Sequence, residues 1–166
     1  MTLKKNKEIC LIATKKNGYA YHYIDKELRN DRDLILAALE QKGEMLQFVP
    51  DIFKKDKEIV LLAIKNDGYS LRYADKKFRK NRDIVLQAVS QNYEALEYAT
   101  KVLKNDKEII WLALNQNIGA YKFIGDDFKA ELQGQQPLEY LENYFFHQKL
   151  QNIIPIKINI KSKKKI

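Results

Sequence analysis

The side chains with the most reactive chemistry are few. Cys10 is the only cysteine, and His22 and His147 are the only histidines, in a chain of 166 residues. A thiolate nucleophile would need one of those imidazoles as its base. A zinc site would need the same three residues together with carboxylates whose place the sequence does not give. Carboxylate pairs are abundant, as in Asp31/Asp33 and Asp126/Asp127. The second pair follows Gly125 but lacks the spacing of a calcium loop, and no glycine-rich phosphate loop occurs. A different chemistry sits at the far end. Pro155–Ile166, PIKINIKSKKKI, holds Lys157, Lys161, Lys163, Lys164 and Lys165 and no acid, five of the net +8 charges. Such a tail can contact anionic lipid or nucleic-acid phosphate. It can also pair as a short strand with another chain, or remain a solvated terminus.

What must position these residues is a repeat. An acid recurs every 25 residues as Glu8, Asp33, Glu58, Asp83 and Glu108, with no insertion or deletion, so five units run in register from Asn6 to Ala130. The first slot is Asn6, Asp31, Asp56, Asn81 or Asp106, each able to cap a helix N-terminus. A base and then the acid follow, and an acid in the first turn suits the helix dipole. An apolar run comes next, with alanine at Ala13, Ala38, Ala63, Ala88 and Ala113. The cap, the acid and the alanine predict a helix covered on several sides by its neighbours. Gly18, Gly43 and Gly68 are expected to end it in the left-handed conformation. Tyr93 and the late Gly119 predict distorted turns in the last two copies. A second helix is expected around Leu71, Tyr73 and Ala74 and their equivalents. A last apolar residue (Leu28, Phe53, Phe78, Leu103, Phe128) and a base close the unit.

A longer period overlies the first. The base–acid pair alternates Lys–Glu, Arg–Asp, Lys–Glu, Arg–Asp, Lys–Glu, and the residue after the glycine slot runs Tyr19, Glu44, Tyr69, Glu94, Gly119. The unit of duplication is therefore a pair.

The pattern N/D-D-K/R-E/D-I-V-L-x-A-V-x-x-N-G-Y-A-L-x-Y-A, closing with Leu or Phe and a base, resembles a family of tandem helical-repeat domains of unknown function. The family domain is about two of these units long and is common in amoeba-associated intracellular bacteria. The resemblance covers residues 6–130 and departs most in the fifth copy, at Trp111, Ile118 and Gly119. It implies an all-helical repeat and raises the role of a secreted effector. It carries over no catalytic or binding residue.

Placed on the repeat, the reactive residues lose their promise. Cys10 fills a slot held elsewhere by Ile35, Val60, Val85 and Ile110, so it reads as a buried apolar residue. His22 shares its slot with Gln47, Arg72, Glu97 and Lys122 and reads as solvent-facing. Tyr23, Tyr73 and Tyr98 share theirs with Phe48 and Phe123 and read as core. With a single cysteine no internal disulfide forms, and a reducing compartment is expected. No membrane span and no signal peptide are read. The expected localisation is cytoplasmic, with entry into a host cell, if it occurs, by a route other than a classical signal.

After Ala130 the period breaks. Glu131–Pro137 reads as a linker, and Leu138–Leu150 as an amphipathic helix capping the stack. Repeat one is expected to seal its own outer end. The expectation is an all-α, right-handed-type α-solenoid of five helical-pair repeats with a C-terminal capping helix. Residues 1–150 would form one domain and 151–166 a basic tail. The expected function is a non-enzymatic protein-interaction scaffold without cofactor or metal. Its partner site is sought where the copies differ: Tyr19, His22, Tyr69 and Arg72, with Lys65 close by, in aromatic-basic patches alternating with acidic ones. The alternative is nucleic-acid or anionic-membrane binding through the tail lysines.

Overall fold

Asn6, Asp31, Asp56, Asn81 and Asp106 each stand in extended backbone and accept a hydrogen bond from a first-turn amide. In chain order the α-helices are α1 (Lys7–Lys16), α2 (Arg32–Gln41), α3 (Lys57–Asn66), the single turn α4 (Lys76–Arg79), α5 (Arg82–Gln91), α6 (Lys107–Gln116) and α7 (Asp126–Glu131). A further helix, α8, covers residues 137–149. The computed structural model describes residues 3–149, and no strand occurs among them. The chain divides into two compact units, Met1–Gly125 and Asp126–Ile166.

The first unit is an all-α repeat solenoid. Four slots of each internal helix are buried: Leu34, Ile35, Ala38 and Leu39 in α2, and Ile59, Val60, Ala63 and Ile64 in α3. α5 and α6 repeat the pattern. Consecutive helices pack side by side, so the apolar girdles of α2, α3 and α5 are each closed by the units before and after.

The second helix expected in each unit is present, and it is a 3-10 helix. It runs Gly18–Tyr23, Gly43–Phe48, Gly68–Tyr73, Tyr93–Tyr98 and Ile118–Phe123. The reason is a period of three. Gly68, Leu71 and Ala74 are buried, as are Gly43, Leu46 and Val49, and a 3-10 helix stacks residues three apart. Asn17, Asp67, Asn92 and Asn117 cap these segments through their side chains.

The glycines are not left-handed. The residue before each lies in extended backbone, with φ −150° at Asn17, −147° at Lys42 and −152° at Asp67. Positive φ among the described residues is confined to Gln133 and Gly134. What demands glycine is the next repeat. A Cβ on Gly18, Gly43 or Gly68 would lie 2.8, 2.3 or 2.0 Å from the carbonyl oxygen of Ala38, Ala63 or Ala88. Nor are the turns of copies four and five distorted. Asn92 and Asn117 have φ −154° and −159°, and the same 3-10 segment follows each.

A backbone rung ties successive units. The amides of Asp25, Asp75, Thr100 and Gly125 donate to the carbonyls of Lys4, Lys54, Arg79 and Lys104 at 3.1, 3.1, 3.2 and 2.8 Å. Pro50 stands in the same slot and has no amide to give. Arg29, whose carbonyl is the corresponding acceptor, receives the Tyr21 hydroxyl instead, at 2.7 Å.

Repeat one does not seal itself. Only Cys10 and Thr14 of α1 are buried, while Ile9 is 40% and Ile12 70% exposed.

In the second unit, α7 ends in a turn whose left-handed residues are Gln133 and Gly134, inside the stretch read as a linker. Pro137 opens α8, where its missing N–H costs nothing. Phe128 and Tyr140 meet edge to face, centroids 5.8 Å apart, and the Tyr140 hydroxyl bonds Glu131 at 2.6 Å. Leu150 and the tail lysines Lys157, Lys161, Lys163, Lys164 and Lys165 lie outside the described residues.

Candidate interaction surface

The 3-10 segments place the variable slots along one edge of the repeats. Tyr69 and Arg72 are three residues apart and therefore share a face of their segment. The Arg72 guanidinium lies over three rings, 5.0 Å from the centroid of Tyr69, 4.9 Å from Tyr73 and 5.7 Å from Tyr98. Its Nη1 donates to the Tyr69 hydroxyl at 2.9 Å, which also receives the Tyr98 hydroxyl at 2.8 Å. The Tyr69 and Tyr98 rings stand edge to face at 5.3 Å. Burial, then the bond to Tyr69, pushes the Tyr98 hydroxyl well above the usual phenol range. Sequence reasoning found Tyr69 with Arg72 but not Tyr98, which is 29 residues from Tyr69 and belongs to the next repeat.

Repeats one and two differ. The Tyr19 hydroxyl donates to the Glu44 carboxylate, and that bond raises its pKa. The aromatic and acidic slots are thus joined there, where separate alternating patches were expected. His22 meets Phe48 at a tilt, with centroids 4.3 Å apart, and stays exposed. Lys65 is on another face. It borders a cleft of about 260 Å³ with Leu61, Leu62, Gln87, Ser90 and Gln91, and neither Tyr69 nor Arg72 lines that cleft. The tyrosine slot expected in the core is not core at Tyr23, which is 66% exposed.

Two residues escaped the sequence reading. Ile52 and Val102 are 72% and 78% exposed. Their slot holds Glu27, Lys77 and Asp127 in the other copies, and an apolar residue where charge is the rule was the available signal.

The Cys10 thiol donates to the carbonyls of Lys4, at 3.4 Å, and Leu3, at 3.7 Å. Burial and then the charge of Asp25 raise its pKa, the reverse of what a nucleophile needs. Among the described residues no three His, Cys, Asp or Glu side chains are grouped to hold a metal ion.

Polar contacts of two kinds cross three of the four joints between units. From repeat two to three, Arg32 reaches Asp56 at 2.8 Å and Glu58 at 2.5 Å. From four to five, Arg82 reaches Asp106 at 2.8 Å and Glu108 at 2.5 Å. In return Asn66 donates to the Leu39 carbonyl at 2.9 Å, and Gln116 to that of Val89. From one to two, Lys7 reaches Asp31 at 2.7 Å and Asp33 at 2.8 Å without a returning amide. Repeats two with three, and four with five, are therefore structural pairs, and repeat one stands outside them.

The family model described as "Domain of unknown function (DUF4116)" matches residues 1–29, 31–79 and 81–129. The chain belongs to this family. Two of the DUF4116 matches coincide with the structural pairs, and the third spans repeat one alone. No curated protein and no solved structure matches the chain. Among the described residues no helix is long and apolar enough to cross a membrane.

Proposed function

We propose that this DUF4116 chain is a non-enzymatic scaffold that binds a protein partner along its 3-10 edge, with Tyr69 and Arg72 at the centre. The observation that carries the reading is the arginine held over three tyrosine rings. Tyrosine and arginine are the usual energetic anchors of interfaces, and here they are fixed in place before any partner arrives, which lowers the entropy cost of binding. The exposed Ile52 and Val102 offer apolar contacts one pair-length apart. The family resemblance adds the expectation of an effector whose partner is a host protein.

The test is Tyr69→Ala with Arg72→Glu in the folded chain, measured against a partner captured by the parent. Loss of two anchors should weaken affinity at least about tenfold. Unchanged affinity would remove this face from the site. Binding that collapses with added salt and with loss of Lys157, Lys161, Lys163, Lys164 and Lys165 would move the function to the tail and its phosphate-bearing partners.

A further inference from the structure

The closing turns of repeats two, three and four stand side by side in the first unit. The Asp75 amide donates to the Lys54 carbonyl at 3.1 Å, and the Thr100 amide to the Arg79 carbonyl at 3.2 Å. Backbone hydrogen bonds thus join residues 50–55, 75–80 and 100–105 in a row. The positive charge of the repeats is concentrated there. The row holds eight lysines and arginines against two acids, whereas the rest of residues 1–154 holds seventeen against twenty. Both acids are occupied, Asp51 by Lys54 at 2.9 Å and Asp75 by the Lys77 amide that it caps. The caps beside the row, Asp56 and Asp106, are engaged by Arg32 and Arg82. Lys55, Lys76, Lys77, Lys80 and Lys101 are exposed. Among the described residues Val102 and Ile52 are the most exposed large apolar side chains. Both lie on this row, in the slot that Lys77 fills between them.

We propose that this row of turns is a docking edge for the surface of an anionic lipid bilayer, with the lysines at the headgroups and Ile52 and Val102 dipped among them. Apolar area in the interface and basic charge against an anionic leaflet together hold a peripheral protein, and this row carries both. The lysine stems let the ammonium groups stay at the level of the headgroups while the aliphatic tips go deeper. Phosphate alone gives Ile52 and Val102 nothing to bury against. A single-stranded nucleic acid is gripped by exposed rings, and the rings on this row, Phe53 and Phe78, are half-buried and buried. The edge is built within residues 50–105 and does not use the tail lysines. It assigns Ile52 and Val102 to lipid and leaves Tyr69 and Arg72 to the protein partner, so either surface can fail without the other.

The experiment is cosedimentation of the full-length chain with phosphatidylcholine vesicles containing about 30% phosphatidylserine, in about 0.15 M salt. Glutamine replaces Lys157, Lys161, Lys163, Lys164 and Lys165 throughout, which silences the tail. This chain should still partition onto the vesicles, and at least about tenfold less onto phosphatidylcholine alone. Ile52→Ser with Val102→Ser should lower the partition at least about tenfold, and so should Lys77→Glu with Lys101→Glu. All four side chains are exposed, so the fold should persist, and far-UV circular dichroism checks it. Lys15→Glu with Lys16→Glu makes the same charge change on exposed residues of α1 and should stay within about threefold of the unreversed chain. Binding that is absent once the tail is silenced, that survives the two serines, or that falls equally with the α1 reversal would overturn the proposal. So would a chain that ignores the vesicles and binds duplex DNA through Lys77 and Lys101.

Discussion

The Tyr21 hydroxyl donates at 2.7 Å to the Arg29 carbonyl, in the slot whose oxygen accepts a backbone amide in the neighbouring copies. Pro50 has no amide to offer, and Tyr21 is the fully buried tyrosine of the array. The two departures from the repeat therefore compensate each other. Tyr21→Phe should cost about 1–3 kcal/mol by leaving that carbonyl unsatisfied. The loss should shrink in a Pro50→Ala background, where an amide can take over. A double-mutant cycle from urea melts reads the coupling. Additive effects would mean that water satisfies the oxygen.

The glycine slot offers a graded test. A methyl at Gly68 meets the Ala88 carbonyl at 2.0 Å, and at Gly18 the Ala38 carbonyl at 2.8 Å. Both obstacles are backbone, which moves only with its helix. Gly68→Ala should cost at least about 1–3 kcal/mol by overpacking, and Gly18→Ala less. Denaturant midpoints should rank Gly68 worst, then Gly43, then Gly18. A stabilised Gly68→Ala would show that the repeats separate freely at that joint.

The alanine slot has its own internal control. Ala63 is fully buried and Ala13 is exposed, although both occupy the same position of their helices. Ala63→Leu should cost about 1–3 kcal/mol, and Ala13→Leu should stay within about 0.5 kcal/mol. Equal effects in thermal melts would mean that the slot is kept for helix propensity alone.

The repeat frame, the caps and the buried apolar slots were legible because they are local. Asp56 and Ile59 declare a helix start without reference to anything distant. The left-handed reading of Gly68 failed because the atom that demands glycine, the Ala88 oxygen, is 20 residues away in the next unit. The second helix was legible as a helix, and the spacing of three at Gly68, Leu71 and Ala74 was the signal of its 3-10 form. On the candidate surface, Tyr69 with Arg72 was legible as a close pair along the chain. Tyr98 was not, because it arrives across a joint. Lys65 looked close in sequence, but a helix turns it to another side.

Acid should weaken the joint between repeats four and five. Burial alone would raise the Asp106 pKa. The hydrogen bond from Arg82 and the amides of Ile109 and Glu108 outweigh it and hold the carboxyl below its ordinary value. The unfolded chain then takes up the proton first. The stability gained is complete above about pH 4 and is lost as the pH falls through the folded-state value. Arg82→Met should therefore lower the urea midpoint at pH 7 and differ little from the parent at about pH 2.5. The same deficit at both pH values would assign the loss to packing of the arginine stem.

The two arginine joints also bear on how such an array can change length. Excising residues 31–80 would bring Lys7 against Asn81 and Asp83, another lysine joint facing an Arg–Asp unit. Excising residues 31–55 would instead set Lys7 against Asp56 and Glu58, where an arginine now clamps. Adding or removing units two at a time keeps each arginine against the Asp–Glu pair that it now clamps.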